Sequence, residues 1–124
     1  MTEQEFKAQI TYIFDNALAA IKRNFNINLK VKINTLEKSK NPRTNEYNWR
    51  VNFNLILPNG KIKPLSTGWS IYNSAVLAIP EDWCKEHDFD CKDKKVTCLP
   101  ILAQNILRMS SWFYCHYLEY NTEF

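Results

Sequence analysis

The sequence predicts an α+β fold: an N-terminal helix, a three-stranded antiparallel meander, then C-terminal helices, in the order α-β-β-β-α-α with the helices covering one sheet face. Three observations carry this. An apolar stripe at helical spacing runs from Phe6 to Ile21. Two segments then alternate apolar and polar residues strictly. Helical spacing returns in the last half of the chain and holds to Tyr120.

The first helix opens with Thr2 and Glu5, a T-x-x-E pair in which hydroxyl and carboxylate satisfy each other's early amide donors. Phe6, Ile10, Ile13, Phe14, Ala17 and Ile21 recur at three and four residues, which puts them on one side. Lys22 and Arg23 suit the negative end of the helix dipole. The period then changes to two: Phe25, Ile27, Leu29, Val31, Ile33 and Thr35 alternate with Asn26, Asn28, Lys30, Lys32 and Asn34, predicting a half-buried strand. Glu37–Asn45 reads as a loop punctuated by Asn41-Pro42. Alternation resumes with Tyr47, Trp49, Val51, Phe53, Leu55 and Leu57. Pro58-Asn59-Gly60 signals a hairpin, because Asn and Gly tolerate positive φ. Pro64 makes the third strand, Lys61–Leu65, short or places it at an edge.

Trp69, Tyr72, Val76, Ile79 and Trp83 step by three and four and predict a helix, which Pro80 kinks or restarts. Asp88–Lys95 reads as a charged loop. Leu99, Leu102, Ile106, Met109, Phe113, Tyr117 and Tyr120 then mark a long last helix with Pro100 in its first turn. There are no repeats and no internal linker, so residues 1–124 are expected to form one domain.

Composition narrows the function classes. A chain of 124 residues buries roughly two-thirds of its unfolded surface, enough for one core without staples. With 45% hydrophobic and 23% charged residues it has the balance of a globular domain. Two glycines are too few for Gly-rich linkers or phosphate-cradling loops. The uncharged run at Ala75–Pro80 is far short of the ~20 residues of a membrane span, and the start lacks the basic-then-apolar build of a secretory signal. The expectation is a cytoplasmic protein without a membrane partner.

The formal charge of +3 is unevenly spread. From Lys22 to Lys63 there are ten cations (Lys22, Arg23, Lys30, Lys32, Lys38, Lys40, Arg43, Arg50, Lys61, Lys63) against two acids (Glu37, Glu46), or +8, so the remainder carries −5. Much of that lies in Glu81, Asp82, Glu86, Asp88, Asp90 and Asp93. Such polarity predicts a basic surface that meets phosphates or carboxylates. On the solvent side of the first two strands, Lys30, Lys32 and Arg50 would stand among Asn26, Asn28, Asn34, Asn48, Asn52 and Asn54. These groups hold phosphates by charge and reach sugars or base edges by hydrogen bonds. No aromatic residue falls on that side, so base stacking is not expected there. Lys38, Lys40 and Arg43 add charge in the following loop, and Lys61 and Lys63 in the third strand.

Cys84, His87, Cys91 and Cys98 read C-x2-H-x3-C-x6-C, a candidate Cys3His set for tetrahedral zinc, with Cys115 as a substitute ligand. Reduced thiols in a cytosolic protein, or disulfides, are the alternatives. Otherwise no cofactor is expected. Cys115 and His116 are helix neighbours whose side chains diverge, so they cannot pair as nucleophile and base. Cys84 and His87 share a face but have no oxyanion-hole loop beside them. No phosphate-binding loop or dinucleotide fingerprint is present. A non-enzymatic protein is expected.

The last helix carries Trp112, Phe113, Tyr114, His116, Tyr117 and Tyr120 on several sides. Such a helix is either enclosed or meets a partner. Trp112, Tyr114, Tyr117 and Tyr120 are therefore candidate protein-interface residues, for a homodimer or another protein.

Over about residues 46–78, the element order, the hairpin Leu57-Pro58-Asn59-Gly60-Lys61 and the run Gly68-Trp69-Ser70 leading into Ala75 resemble a double-stranded-RNA-binding domain. That resemblance implies RNA contact by the loop between the first two strands, here Lys38, Lys40 and Arg43. Where that family opens its last helix with a lysine cluster, this chain has Ile71, Tyr72 and Asn73. By overall character the chain is similar to small phage- or mobile-element-encoded anti-defence proteins of the anti-CRISPR type, which are short, single-domain and without catalytic motifs. This implies an inhibitor that docks on a host protein or ribonucleoprotein. A direct RNA- or DNA-binding domain and a zinc-stabilised structural module are the other readings.

Overall fold

Helix α1 spans Glu3–Phe25 and is followed by strands β1 (Lys30–Lys40), β2 (Tyr47–Ile56) and β3 (Ile62–Ser70). Helices α2 (Glu81–Glu86) and α3 (Leu99–Asn121) complete the order α-β-β-β-α-α. The computed structural model describes residues 3–40, 42–43, 47–70, 81–87 and 99–121. The strands form one antiparallel sheet in the order β1-β2-β3. The expected α+β architecture is therefore the observed one.

The stripe of α1 packs as its spacing dictates. Phe6, Ile10, Ile13, Phe14, Ala17 and Ile21 are all buried, beside the alternate β2 residues Trp49, Val51, Phe53 and Leu55. Met109 and Phe113 of α3 close the core. At its centre α1, β2 and α3 contribute one ring each. Phe14 lies 4.9 Å from Phe53 and 5.3 Å from Phe113, and Phe53 lies 5.8 Å from Phe113, all tilted or edge-on. These geometries set positive ring edges against negative faces and contribute about 0.5–1.5 kcal/mol per pair beyond the buried area. The Thr2 and Glu5 pair lies outside the described side chains.

Several boundaries differ from the sequence expectation. The first strand does not begin at Phe25, because α1 continues through that residue. It stops at Asn26, whose φ of 55° is left-handed and whose N–H donates to the Lys22 carbonyl at 2.9 Å. Asn is among the few side chains that tolerate this conformation, so it terminates the helix. Ile27 belongs to the connection. At the far end β1 runs to Lys40, through much of the expected Glu37–Asn45 loop.

A register shift between Ile33 and Thr35 marks a bulge in β1. One extra residue reverses which side chains face the core, so Val31, Ile33 and Leu36 share the core side while Thr35 and Glu37 join Lys30 and Lys32 outside. The hairpin falls where Pro58-Asn59-Gly60 predicts. Only Gly60 takes a positive φ (85°), in a three-residue loop closed by Gly60 N–H to the Leu57 carbonyl and Leu57 N–H to the Lys61 carbonyl, both 2.9 Å. Pro64 does lie on an edge strand, but β3 extends to Ser70. Trp69 is thus a strand residue opposite Trp49 rather than the start of a helix. Tyr72, Val76 and Ile79, and the loop at Asp88–Lys95, lie outside the described residues.

Candidate functional site

Sheet register divides the predicted cations. On the face opposite the helices, Lys30 pairs with Ile56, Lys32 with Asn54, Thr35 with Asn52, Glu37 with Arg50 and Ser39 with Asn48. From β3, Ile62, Pro64, Ser66 and Gly68 continue these rows. No described helix covers this face. It presents Lys30, Lys32 and Arg50 against one acid, Glu37, with amides and hydroxyls between them and an apolar end at Ile56, Ile62 and Pro64.

Its centre is tied together by hydrogen bonds. Asn52 donates through Nδ2 to Thr35 Oγ1 at 2.8 Å and to Glu37 Oε1 at 3.1 Å. Arg50 reaches the other way and donates through Nη1 to Ser66 Oγ at 3.0 Å. Its Nη2 passes over Gly68, where a side chain would begin 3.7 Å away. A Cβ there would be in ordinary van der Waals contact with the guanidinium, so the arrangement does not require glycine. A guanidinium so placed offers several remaining N–H groups to an anion, in the planar fork that suits carboxylate and phosphate. Of the six asparagines expected here, Asn48, Asn52 and Asn54 are on the face. Asn26 caps α1, Asn28 lies in the connection and Asn34 is the exposed, unpaired residue at the bulge.

The remaining cations sit elsewhere. Lys38 and Lys63 pair with Trp49 and Leu55, so both belong to the core side of the sheet. The Lys38 ammonium lies 5.1 Å from the Trp49 ring centre and that of Lys63 lies 4.4 Å from the Tyr120 ring centre. Each is held by the negative face of an aromatic ring. Lys40 shares the Lys38 side and is exposed at the end of β1. Arg43 lies in the connection to β2, and Lys61 closes the hairpin; both are exposed. Lys38 and Lys40 are therefore strand residues rather than loop residues.

The aromatic helix residues pack within the chain. Trp112 meets Phe53 edge-on at 5.9 Å, and Tyr114 stacks on Phe25 at 4.2 Å. Tyr117 borders the core. His116 is enclosed between Trp112 and Tyr120, with its Nδ1 3.8 Å from Glu119 Oε2.

Of the candidate zinc set, Cys91, Cys98 and the Cys84 side chain lie outside the described residues. His87 is described, and both its ring nitrogens face protein groups. Nδ1 lies 2.9 Å from the Trp83 carbonyl, which can only accept, so this nitrogen carries the hydrogen. Nε2 lies 3.5 Å from Asp15 Oδ2 of α1. Among the described residues no three His, Cys, Asp or Glu side chains converge on a metal-sized site.

The Asp15–His87 contact is one that sequence reading missed. Trp83 stacks on His87 at 4.0 Å and meets Tyr12 edge-on at 5.2 Å, so α2 is fastened to α1 through these four residues. The i,i+4 spacing of Trp83 and His87 was visible in the chain; their partners on α1 were not. Burial raises the Asp15 pKa above its ordinary 3.8, with the His87 ring pulling it partly back. No described helix is long and apolar enough to cross a membrane. No family model, curated protein or solved structure matches the chain.

Proposed function

We propose that this chain is a non-enzymatic binding protein that docks on a host-defence protein or ribonucleoprotein of the CRISPR type through the open face of its sheet. The observation that carries the docking surface is the placement of Lys30, Lys32 and Arg50 on a polar sheet face that no described helix covers. A folded sheet fixes the backbone positions of these cations on one face, so an anionic partner meets a concentrated positive field. The target class rests on overall resemblance to short anti-defence proteins, and the cations would meet guide RNA or an acidic protein surface.

Direct RNA or DNA binding is the second reading, favoured by one feature: the face offers cations, amides and hydroxyls without a ring to stack on. That chemistry addresses phosphates and sugars rather than base identity. The two readings separate in one experiment. Tagged protein is used to capture partners from host lysate, with half of the lysate nuclease-treated. A protein partner that survives nuclease and is lost with Lys30→Glu, Lys32→Glu and Arg50→Glu together supports docking. Nucleic acid recovered alone, and lost on treatment, promotes direct binding. In that case the triple variant should flatten the salt dependence of affinity by a slope of roughly two to three, at 0.7–0.9 per phosphate contact removed. Capture that is indifferent to the triple variant sinks the sheet face as the site.

A further inference from the structure

The side of α3 that adjoins its core contacts has its own pattern. Gln104, Leu107, Ser111, Tyr114 and Leu118 alternate at three and four residues and fall on one stripe. The core contacts Ile106, Met109 and Phe113 lie on the adjoining side, and Tyr114 borders both. Within the stripe there is no charged residue. Leu107 is 69% exposed and Leu118 42%, and Phe25, stacked on Tyr114, is 50% exposed. A surface helix needs only one apolar side against its core; α3 carries in addition an uncharged stripe with two exposed leucines. Leaving leucines in water forgoes up to about 1.5–3 kcal/mol each, so the stripe favours whatever covers it.

We propose that a second copy of this chain covers it, with the two α3 helices antiparallel across a two-fold axis. The stripe is complementary to its own reverse. Setting Leu107 against the second copy's Leu118 brings Ser111 opposite Tyr114. Leucine then meets leucine, and a small side chain meets a large one. The flanking charges agree with this register. Arg108 and Glu119 are eleven residues apart, three helical turns, and so border the stripe on the same flank. An antiparallel two-fold brings equal flanks together. Arg108 then lies two residues, about 3 Å of helical rise, from the second copy's Glu119. In a parallel pair these flanks lie on opposite sides of the contact and the charges never meet. Arg108 has no ion-pair partner among the described residues, and with no cation at its centre the stripe offers a polyanion nothing.

An interface of one helix pair lies at the small end of specific contacts, so a monomer–dimer equilibrium on the order of micromolar is expected. Sedimentation equilibrium of the full chain over a wide concentration range reads it directly. Leu107→Glu sets a carboxylate against leucine and should weaken association by roughly tenfold or more. Because Leu107 is exposed, the thermal midpoint of the dilute monomer should stay the same, which separates lost pairing from lost folding. Arg108→Glu should weaken association, and adding Glu119→Arg should restore it. A chain that remains monomeric throughout, or a dimer indifferent to Leu107→Glu, overturns the proposal. A charge-swapped double variant no tighter than Arg108→Glu alone overturns the antiparallel register.

Discussion

Asp15 shows how one residue can be under opposing influences. Burial against α2 disfavours its charge, and the His87 ring favours it; burial is the larger influence, so the folded pKa is raised. A raised carboxyl pKa means that the folded chain holds this proton more tightly than the unfolded one. The corresponding stability is fully present below the unfolded pKa near 3.8 and is lost as pH rises through the folded value. At neutral pH the charged carboxylate is therefore a small net cost. Asp15→Asn should raise stability there by a few tenths of a kcal/mol, a figure kept small because the side chain is about half exposed. The gain should vanish near about pH 3, where both forms are neutral. Urea unfolding of the two proteins at both pH values checks this. A less stable Asp15→Asn at neutral pH would show the His87 contact to be dominant.

Among the elements, the β2–β3 hairpin depends most on a single backbone angle. Gly60 at φ 85° sets the twist that brings Ile62 opposite Ile56, and every later pair in β3 inherits that register. A Cβ added at Gly60 meets nothing within 4 Å, so the cost of Gly60→Ala is backbone strain alone. It should destabilise the domain by about 1 kcal/mol, seen as a lower denaturant midpoint with an unchanged slope. Loss of two-state behaviour would instead indicate a slipped β3. The hairpin was readable from Pro58-Asn59-Gly60 because turn chemistry is local. The bulge at Ile33–Thr35 was not, because no residue there demands it; it satisfies the pairing with β2 and the core beneath.

Across the whole molecule, the ten cations between Lys22 and Lys63 do not form one surface. Lys30, Lys32 and Arg50 are on the open sheet face, while Lys38 and Lys63 serve the helix side over Trp49 and Tyr120. We therefore expect Lys63 to act in stability rather than in partner binding. Lys63→Ala should cost about 0.5–1 kcal/mol in chemical unfolding through the lost contact with Tyr120. The salt dependence of partner binding should stay where it is in the unmutated chain. A variant of unchanged stability with weakened binding would reverse that assignment.

The sequence alone determined the element order, the buried stripe of α1, the alternation of β2 and the position of the hairpin, because each depends on periodicity or turn chemistry written within a few consecutive residues. It also placed Lys30, Lys32 and Arg50 on one face. The tertiary structure decided that α1 runs on to Phe25, that Trp69 is a strand residue, and that Lys38 and Lys63 face away from the other cations. It alone brought Asp15 to His87. Strand ends, register and cross-chain pairs are settled by competition among distant segments for the same core, and a one-residue bulge suffices to exchange the two faces of a strand.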